Sequence, residues 1–108
     1  MNYDIDYSDE AKQDLKEFNK YQEHQIVKSI RKVAKNPLPQ NEGGYGKPLG
    51  NKHGNNLTGY CKIKFKQLGV RVVYKVIRTD GIMKIIVIAA RADEEVYELA
   101  AKRINKQI

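Results

Sequence analysis

Between Cys61 and Lys66 the chain alternates apolar and cationic side chains, with Cys61, Ile63 and Phe65 set against Lys62, Lys64 and Lys66. On a strand, that period puts the lysines on one face. A second alternating run follows, Val70, Val72, Tyr74 and Val76 against Arg71, Val73 and Lys75, and in a suitable register Arg71 reaches the same face. Arg91 and Tyr97, beyond a third apolar run, are expected to close the patch. Cations crowded on a rigid sheet repel one another until an anion arrives, and a phosphate relieves the repulsion. The same crowding is expected to depress a lysine pKa and so suit it to act as a general base near neutral pH. Arginine stays charged and grips phosphate oxygens in a fork, and a tyrosine at the rim stacks on a base. These are the parts for cleaving RNA without a metal. A base takes the 2′-hydroxyl proton, cations stabilise the pentacovalent phosphate, and an acid protonates the leaving 5′-oxygen. By spacing alone, alternating lysines more often make a solvated face that guards a sheet edge, and Tyr97 more often packs a helix.

The elements that must hold these groups are also legible. Residues 3–7 alternate as Tyr, Asp, Ile, Asp, Tyr and predict a short strand. Ser8 is a helix N-cap, followed by Asp9 and Glu10, with Ala11, Leu15 and Phe18 on one helical face. A joint is expected at Asn19 to Tyr21, then a second helix on the stripe Ile26, Ile30, Val33 and Ala34, ending at Asn36-Pro37. The two helices should form a hairpin. Residues 36–56 hold all three prolines and most of the glycines, show neither periodicity, and are expected to be a long irregular loop. A three-stranded meander then runs from Leu57 to Ala90, with turns at Gln67-Leu68-Gly69 and Arg78-Thr79-Asp80-Gly81. The last helix starts near Asp93 on the stripe Val96, Leu99, Ala100 and Ile104. The expected fold is therefore α/β of the α+β kind. A strand and a helical hairpin pack on a twisted, mostly antiparallel sheet of about four strands, with a C-terminal helix.

Composition narrows the class. The chain has 108 residues, fitting a single domain over 1–108. Its one cysteine, Cys61, excludes an intramolecular disulfide framework, and two distant histidines argue against a structural zinc site, so no metal or cofactor is expected. The first residues do not read as a signal peptide and no run is long enough to span a bilayer. A cytoplasmic protein without membrane attachment is the expectation. The net charge of +7 is unevenly spread. Residues 24–92 carry fourteen basic and two acidic side chains, net +12, between mildly acidic ends. Such a block favours a polyanionic partner.

Three segments, taken together, point further. Leu57 to Phe65 (LTGYCKIKF), Gly69 to Tyr74 (GVRVVY) and Ala90 to Tyr97 (ARADEEVY) resemble the RelE family of bacterial type II toxins in content, order and spacing. The likeness covers nearly the whole chain, and the loop Gly43 to Lys52 is similar to the longer form in one branch of that family. The resemblance implies a ribosome-dependent endoribonuclease, an mRNA interferase that cuts message in the decoding A site. It implies catalytic roles for Lys62, Lys64, Arg71, Arg91 and Tyr97. Lys64 would be the base, Arg71 a phosphate ligand, Arg91 an acid or phosphate clamp, and Tyr97 an orienting or stacking group. Lys66, Lys75, Lys47 and Lys52 would extend the RNA- and ribosome-binding surface. The implied partners are a RelB-like antitoxin, in an assembly such as a toxin–antitoxin heterotetramer, and the ribosome with its mRNA. The chain departs from the most basic members at Ala90, Ala92 and Asp93, where those members carry further cations. Two other functions remain open: a ParE-like toxin that poisons DNA gyrase, and a non-catalytic basic RNA-binding module.

Overall fold

The computed structural model describes residues 2–106. Strand β1 (Asp4–Tyr7) leads into helix α1 (Asp9–Leu15), and helix α2 (Lys20–Val33) follows. Ser8 caps α1 by accepting the Ala11 N–H at 3.1 Å. The joint falls slightly earlier than the spacing predicts. Lys20 already opens α2, because Asn19 and Gln22 form a reciprocal capping box with bonds of 2.8 and 3.0 Å. Ile26, Ile30 and Val33 are the buried stripe of α2, and the helix stops before Pro37, as the residue ahead of a proline resists the helical region.

The meander consists of β5 (Tyr60–Phe65), β6 (Val70–Ile77) and β7 (Ile82–Ala89), paired antiparallel in chain order. Its two turns place Gly69 at φ 66° and Gly81 at φ 64°, a left-handed conformation that glycine adopts without steric cost. β1 adds to β7 in parallel, Asp4 opposite Ile82 through Tyr7 opposite Ile85. The sheet has five strands rather than about four, because β2 (Lys47–Pro48) joins the far edge beside β5, giving the order β1-β7-β6-β5-β2.

That extra strand comes from the segment expected to be irregular. Residues 36–56 also contain a 3₁₀ turn at Gln40–Glu42 and a small hairpin of β3 (Asn51–Lys52) and β4 (Asn55–Asn56). Backbone bonds tie the segment down: Tyr45 N–H donates to the Asn36 carbonyl at 3.0 Å, and Leu49 N–H to the Tyr60 carbonyl at 2.9 Å. The buried Tyr74 hydroxyl donates to the Pro37 carbonyl at 2.7 Å. Gly46 permits this approach, since a Cβ there would lie 2.2 Å from the Tyr74 hydroxyl oxygen.

The sheet is covered on both faces. Val70, Val72, Tyr74, Met83, Ile85 and Ile88 pack with α1 and α2. Val73, Ile86, Val87 and Ala89 pack with α3 (Asp93–Asn105) through Val96, Tyr97 and Ala100. A bulge between the Val73 and Tyr74 pairs sets Ile86 and Val87 together on the α3 side. Two-sided burial explains why β7 is almost wholly apolar. No helix among the described residues is long and apolar enough to cross a membrane.

Candidate active site

The register of β5 and β6 decides which cations share a face. Lys64 lies opposite Arg71 and Lys62 opposite Val73, so Lys62, Lys64 and Arg71 belong to the α3 face of the sheet. On β2, Lys47 lies opposite Lys62. α3 crosses this face and delivers Tyr97, whose ring centre is 5.5 Å from Lys62 Nζ. Tyr97 is also part of the packed stripe, only 4% exposed, so its packing and its contact with the lysine coexist.

Asp93 sits at the centre of this arrangement. Lys62 Nζ donates to Asp93 Oδ2 at 3.2 Å, and Arg71 Nε pairs with Asp93 Oδ1. Arg71 Nη1 donates to the Arg91 carbonyl at 2.5 Å. Lys62 is therefore a buried cation, 7% exposed, held by a carboxylate from the first turn of α3. The depression expected for a lysine of this patch is not found at Lys62. Burial opposes the charge of Lys62, but the Tyr97 hydroxyl and the Asp93 carboxylate outweigh it, and its pKa is raised. Partial burial likewise works against the charge of Asp93, yet Lys62 and Arg71 hold its pKa below the ordinary carboxylate value. Lys64 is different: it is exposed, and among the described residues it has no carboxylate partner.

The remaining predicted cations are dispersed. Arg91 contributes its carbonyl to the site, but its exposed side chain lines a shallow surface with Glu95, Glu98, Leu99 and Lys102 on the outer side of α3. The patch is thus not closed by the Arg91 guanidinium. After β7 the chain bends into α3, and the Arg91 side chain lies on the exposed surface it shares with Glu95 and Glu98. Lys66 lies in the β5–β6 turn, beside Gln25 and Ser29 of α2. Lys75 packs its ammonium 5.5 Å from the Tyr60 ring centre, at the other end of the face. Lys52 is half-buried in the β3–β4 hairpin.

A groove of about 300 Å³ opens along the edge, lined by Gln40, Tyr45, Lys47, Lys62, Ile63 and Lys64. Tyr45 is 48% exposed there. Sequence reasoning missed both Tyr45 and Asp93. An exposed aromatic amid the glycines of residues 43–46 is the available signal for Tyr45, whereas Asp93 has the pattern of an ordinary helix-dipole acid. Among the described residues, no group of three or more His, Cys, Asp or Glu side chains could hold a metal ion. The arrangement suits an anion: two forked or ammonium donors pinned on a sheet, a free lysine beside them, and an exposed ring along the approach.

Comparisons with known proteins bear on the family and the fold. Residues 5–95 match the sequence model of the ParE toxin of type II toxin–antitoxin systems. A RelE-like toxin protein of Escherichia coli is 26% identical over 106 residues, covering 97% of this chain and 100% of that protein. A mutant of the E. coli toxin RelE, solved in the free state, superposes with a TM-score of 0.67 at 26% identity, covering 96% of this chain and 99% of that one. The RelBE2 toxin–antitoxin complex of Mycobacterium tuberculosis shares the fold, with a TM-score of 0.68 at 21% identity over 86% of this chain and 95% of that one. With the family match running from β1 into α3 and a RelE fold beneath it, the chain belongs to the RelE/ParE superfamily of type II toxin–antitoxin toxins.

Proposed function

We propose that this toxin is an endoribonuclease that cuts messenger RNA in the ribosomal A site. The observation that carries the reading is the grouping of Lys62, Lys64 and Arg71 with Tyr97 on one sheet face, beside a groove with an exposed tyrosine. A gyrase poison acting by protein contact has no need of a phosphate cradle and an adjacent unpaired lysine. In the proposed reaction, Lys64 takes the proton from the 2′-hydroxyl. The 2′-oxygen attacks the phosphorus, and the bond to the 5′-oxygen breaks with that oxygen taking a proton from a water molecule, whose hydroxide is neutralised by the proton Lys64 gives back to solvent, leaving a 2′,3′-cyclic phosphate. Lys62 suits a fixed cation better than a base, because its charge is held in place. Arg71 and Lys62 stabilise the added negative charge of the phosphorane, the term that usually contributes most. Arg91 acts as a phosphate clamp once its exposed side chain turns toward the strip. Tyr97 sets the position of Lys62, and Tyr45 stacks on a base entering the groove.

The family itself implies an antitoxin partner, and solved relatives described as RelBE toxin–antitoxin complexes support one of RelB type. A cytoplasmic setting follows from action on translating ribosomes. The deciding experiment adds purified protein to translating ribosomes and maps message ends by primer extension. Cleavage within A-site codons supports the proposal. Intact message with inhibited gyrase supercoiling favours the ParE-like activity instead. RNA retardation without cutting points to a binding module.

A further inference from the structure

The cradle is already occupied by part of the protein. Asp93 presents one oxygen to Lys62 and the other to Arg71, with Lys62 Nζ at 3.2 Å. Two anionic oxygens bridging an ammonium and a guanidinium reproduce the way a phosphate would be held. Arg71 is further engaged by the Arg91 carbonyl, so its fork is directed at protein acceptors. Asp93 is nevertheless 44% exposed in its side chain and stands in the first turn of α3, so the carboxylate borders on solvent.

We propose that Asp93 is an internal competitor for the phosphate subsite: its carboxylate occupies the place of the scissile phosphate and must leave before RNA can bind. This rests on the reading of Lys62 and Arg71 as phosphate ligands. The physics is that of a binding-competent state only fractionally populated. Affinity falls by the fraction of molecules in which the site is open. The competitor also prevents two partly buried cations from facing each other unpaired, and it ties α3 to the sheet while the site is empty. A substrate carrying several phosphates and stacked bases can displace it, whereas a lone anion is disfavoured, so the device selects for polymeric over small anions.

The test uses the full chain with inorganic phosphate as the probe, followed through the NMR signal of Arg71 Nε–H. Asp93→Asn keeps the shape and removes the charge. Glu94→Gln removes the same charge at an exposed neighbour outside the cradle. If Asp93 holds the site closed nine-tenths of the time or more, Asp93→Asn binds phosphate at least about tenfold tighter than wild type. The Glu94→Gln protein should stay within about threefold, as expected for a screened surface charge. Thermal melting establishes that each variant is folded, and Asp93→Ser, which also tolerates a helix start, repeats the measurement if asparagine loosens α3. Phosphate affinity in Asp93→Asn that is unchanged, weaker, or no tighter than in Glu94→Gln overturns the proposal. Message cleavage is scored separately. Tighter phosphate binding with no cleavage by either protein supports the competitor and removes the ribonuclease reading. Cleavage by wild type with unaltered phosphate affinity in Asp93→Asn does the reverse.

Discussion

Lys62, Arg71 and Asp93 form one electrostatic unit, and the residues in it have separable jobs. Arg71 contacts Asp93 and the Arg91 carbonyl, and Lys62 keeps its own pairing with Asp93 when Arg71 is removed. Arg71→Ala should therefore leave the fold intact and lower message cleavage by about 10²–10³, the usual cost of losing one preorganised charge-stabilising donor. Wild-type toxicity from a folded Arg71→Ala protein would remove it from the site. The Lys62–Asp93 pair also makes a pH prediction. Asp93 has a folded pKa below its ordinary 3.8, so its contribution to stability is present above that value and lost as pH falls through the folded pKa. Lys62 has a folded pKa above its ordinary 10.5, so its contribution is complete below that value and lost as pH rises through the folded pKa. The difference in melting temperature between wild type and Lys62→Met should then be flat from about pH 5 to 10 and shrink at both extremes. A difference that varies across neutrality would show that the pair is not what holds Lys62. At this scale the sequence is readable where a period of two applies, which is why Lys62, Lys64 and Arg71 fall on one face as their spacing predicts. It is silent where direction depends on the path between elements. Nothing in Ala90 to Asp93 discloses that Arg91 turns outward while Asp93 turns in.

Helix α3 is the element on which the site depends, and it is fastened at both ends. Its N-terminus is held by Asp93 to β5 and β6. Its C-terminus is held by Arg103, whose fork meets Asp14 of α1 at 2.7 and 2.9 Å and whose Nη1 also donates to the Ile86 carbonyl at 2.9 Å. Asp14 in turn accepts the Ile88 N–H at 2.9 Å. These two side chains thus satisfy β7 where it runs on past the end of β1, doing for the backbone what another strand would do. Removing one member leaves a buried charge and an orphaned backbone donor, so Asp14→Ala should destabilise by about 3–5 kcal/mol in denaturant unfolding. Glu10→Ala, whose carboxylate lies 4.0 Å from Arg103, should cost less than about 1 kcal/mol. Amide exchange in Asp14→Ala should quicken more over residues 100–105 than over 93–97, since the N-terminal fastening is untouched. Uniform quickening would mean that the two fastenings are not independent. The existence of every long element is legible, because Ile26, Ile30 and Val33, or Val96 and Ala100, repeat at helical spacing and bury as expected. The Asp14–Arg103 link is not, since it joins residues 89 positions apart and neither breaks a local pattern. The order within residues 36–56 is hidden for a related reason. It comes from single backbone bonds to β5 and from the buried Tyr74 hydroxyl, which no periodicity records.

Across the whole molecule, the +12 block of residues 24–92 does not make a single patch. One part is the strip of Lys62, Lys64 and Arg71 with Lys47 beside it. Another is a groove on α2 and the residues just after it, lined by Gln25, Lys28, Ser29, Arg31, Lys32 and Lys35. The helices α1 and α2 pack on the sheet face opposite to α3, so these two cationic regions belong to different layers of the fold. Lys64 lies near the border, since it lines both the edge groove and the hollow shared with Gln25 and Ser29. The proposed chemistry needs only the strip, and the α2 cations would then act at a distance, steering the protein onto a polyanionic partner. Steering raises association rates and is screened by salt, whereas the bond-breaking step inside the strip is not. The double variant Lys32→Gln, Lys35→Gln should therefore lower kcat/KM for message cleavage by about tenfold at 0.05 M salt and by less than about threefold at 0.5 M, with kcat unchanged at both. Circular dichroism should be that of wild type, because both side chains are exposed. Single-turnover cleavage on ribosomes at saturating toxin isolates kcat, and a toxin titration at each salt gives kcat/KM. An equal fall in kcat at both salts would show that the α2 groove takes part in positioning the message, and the division of labour between the two layers would be wrong.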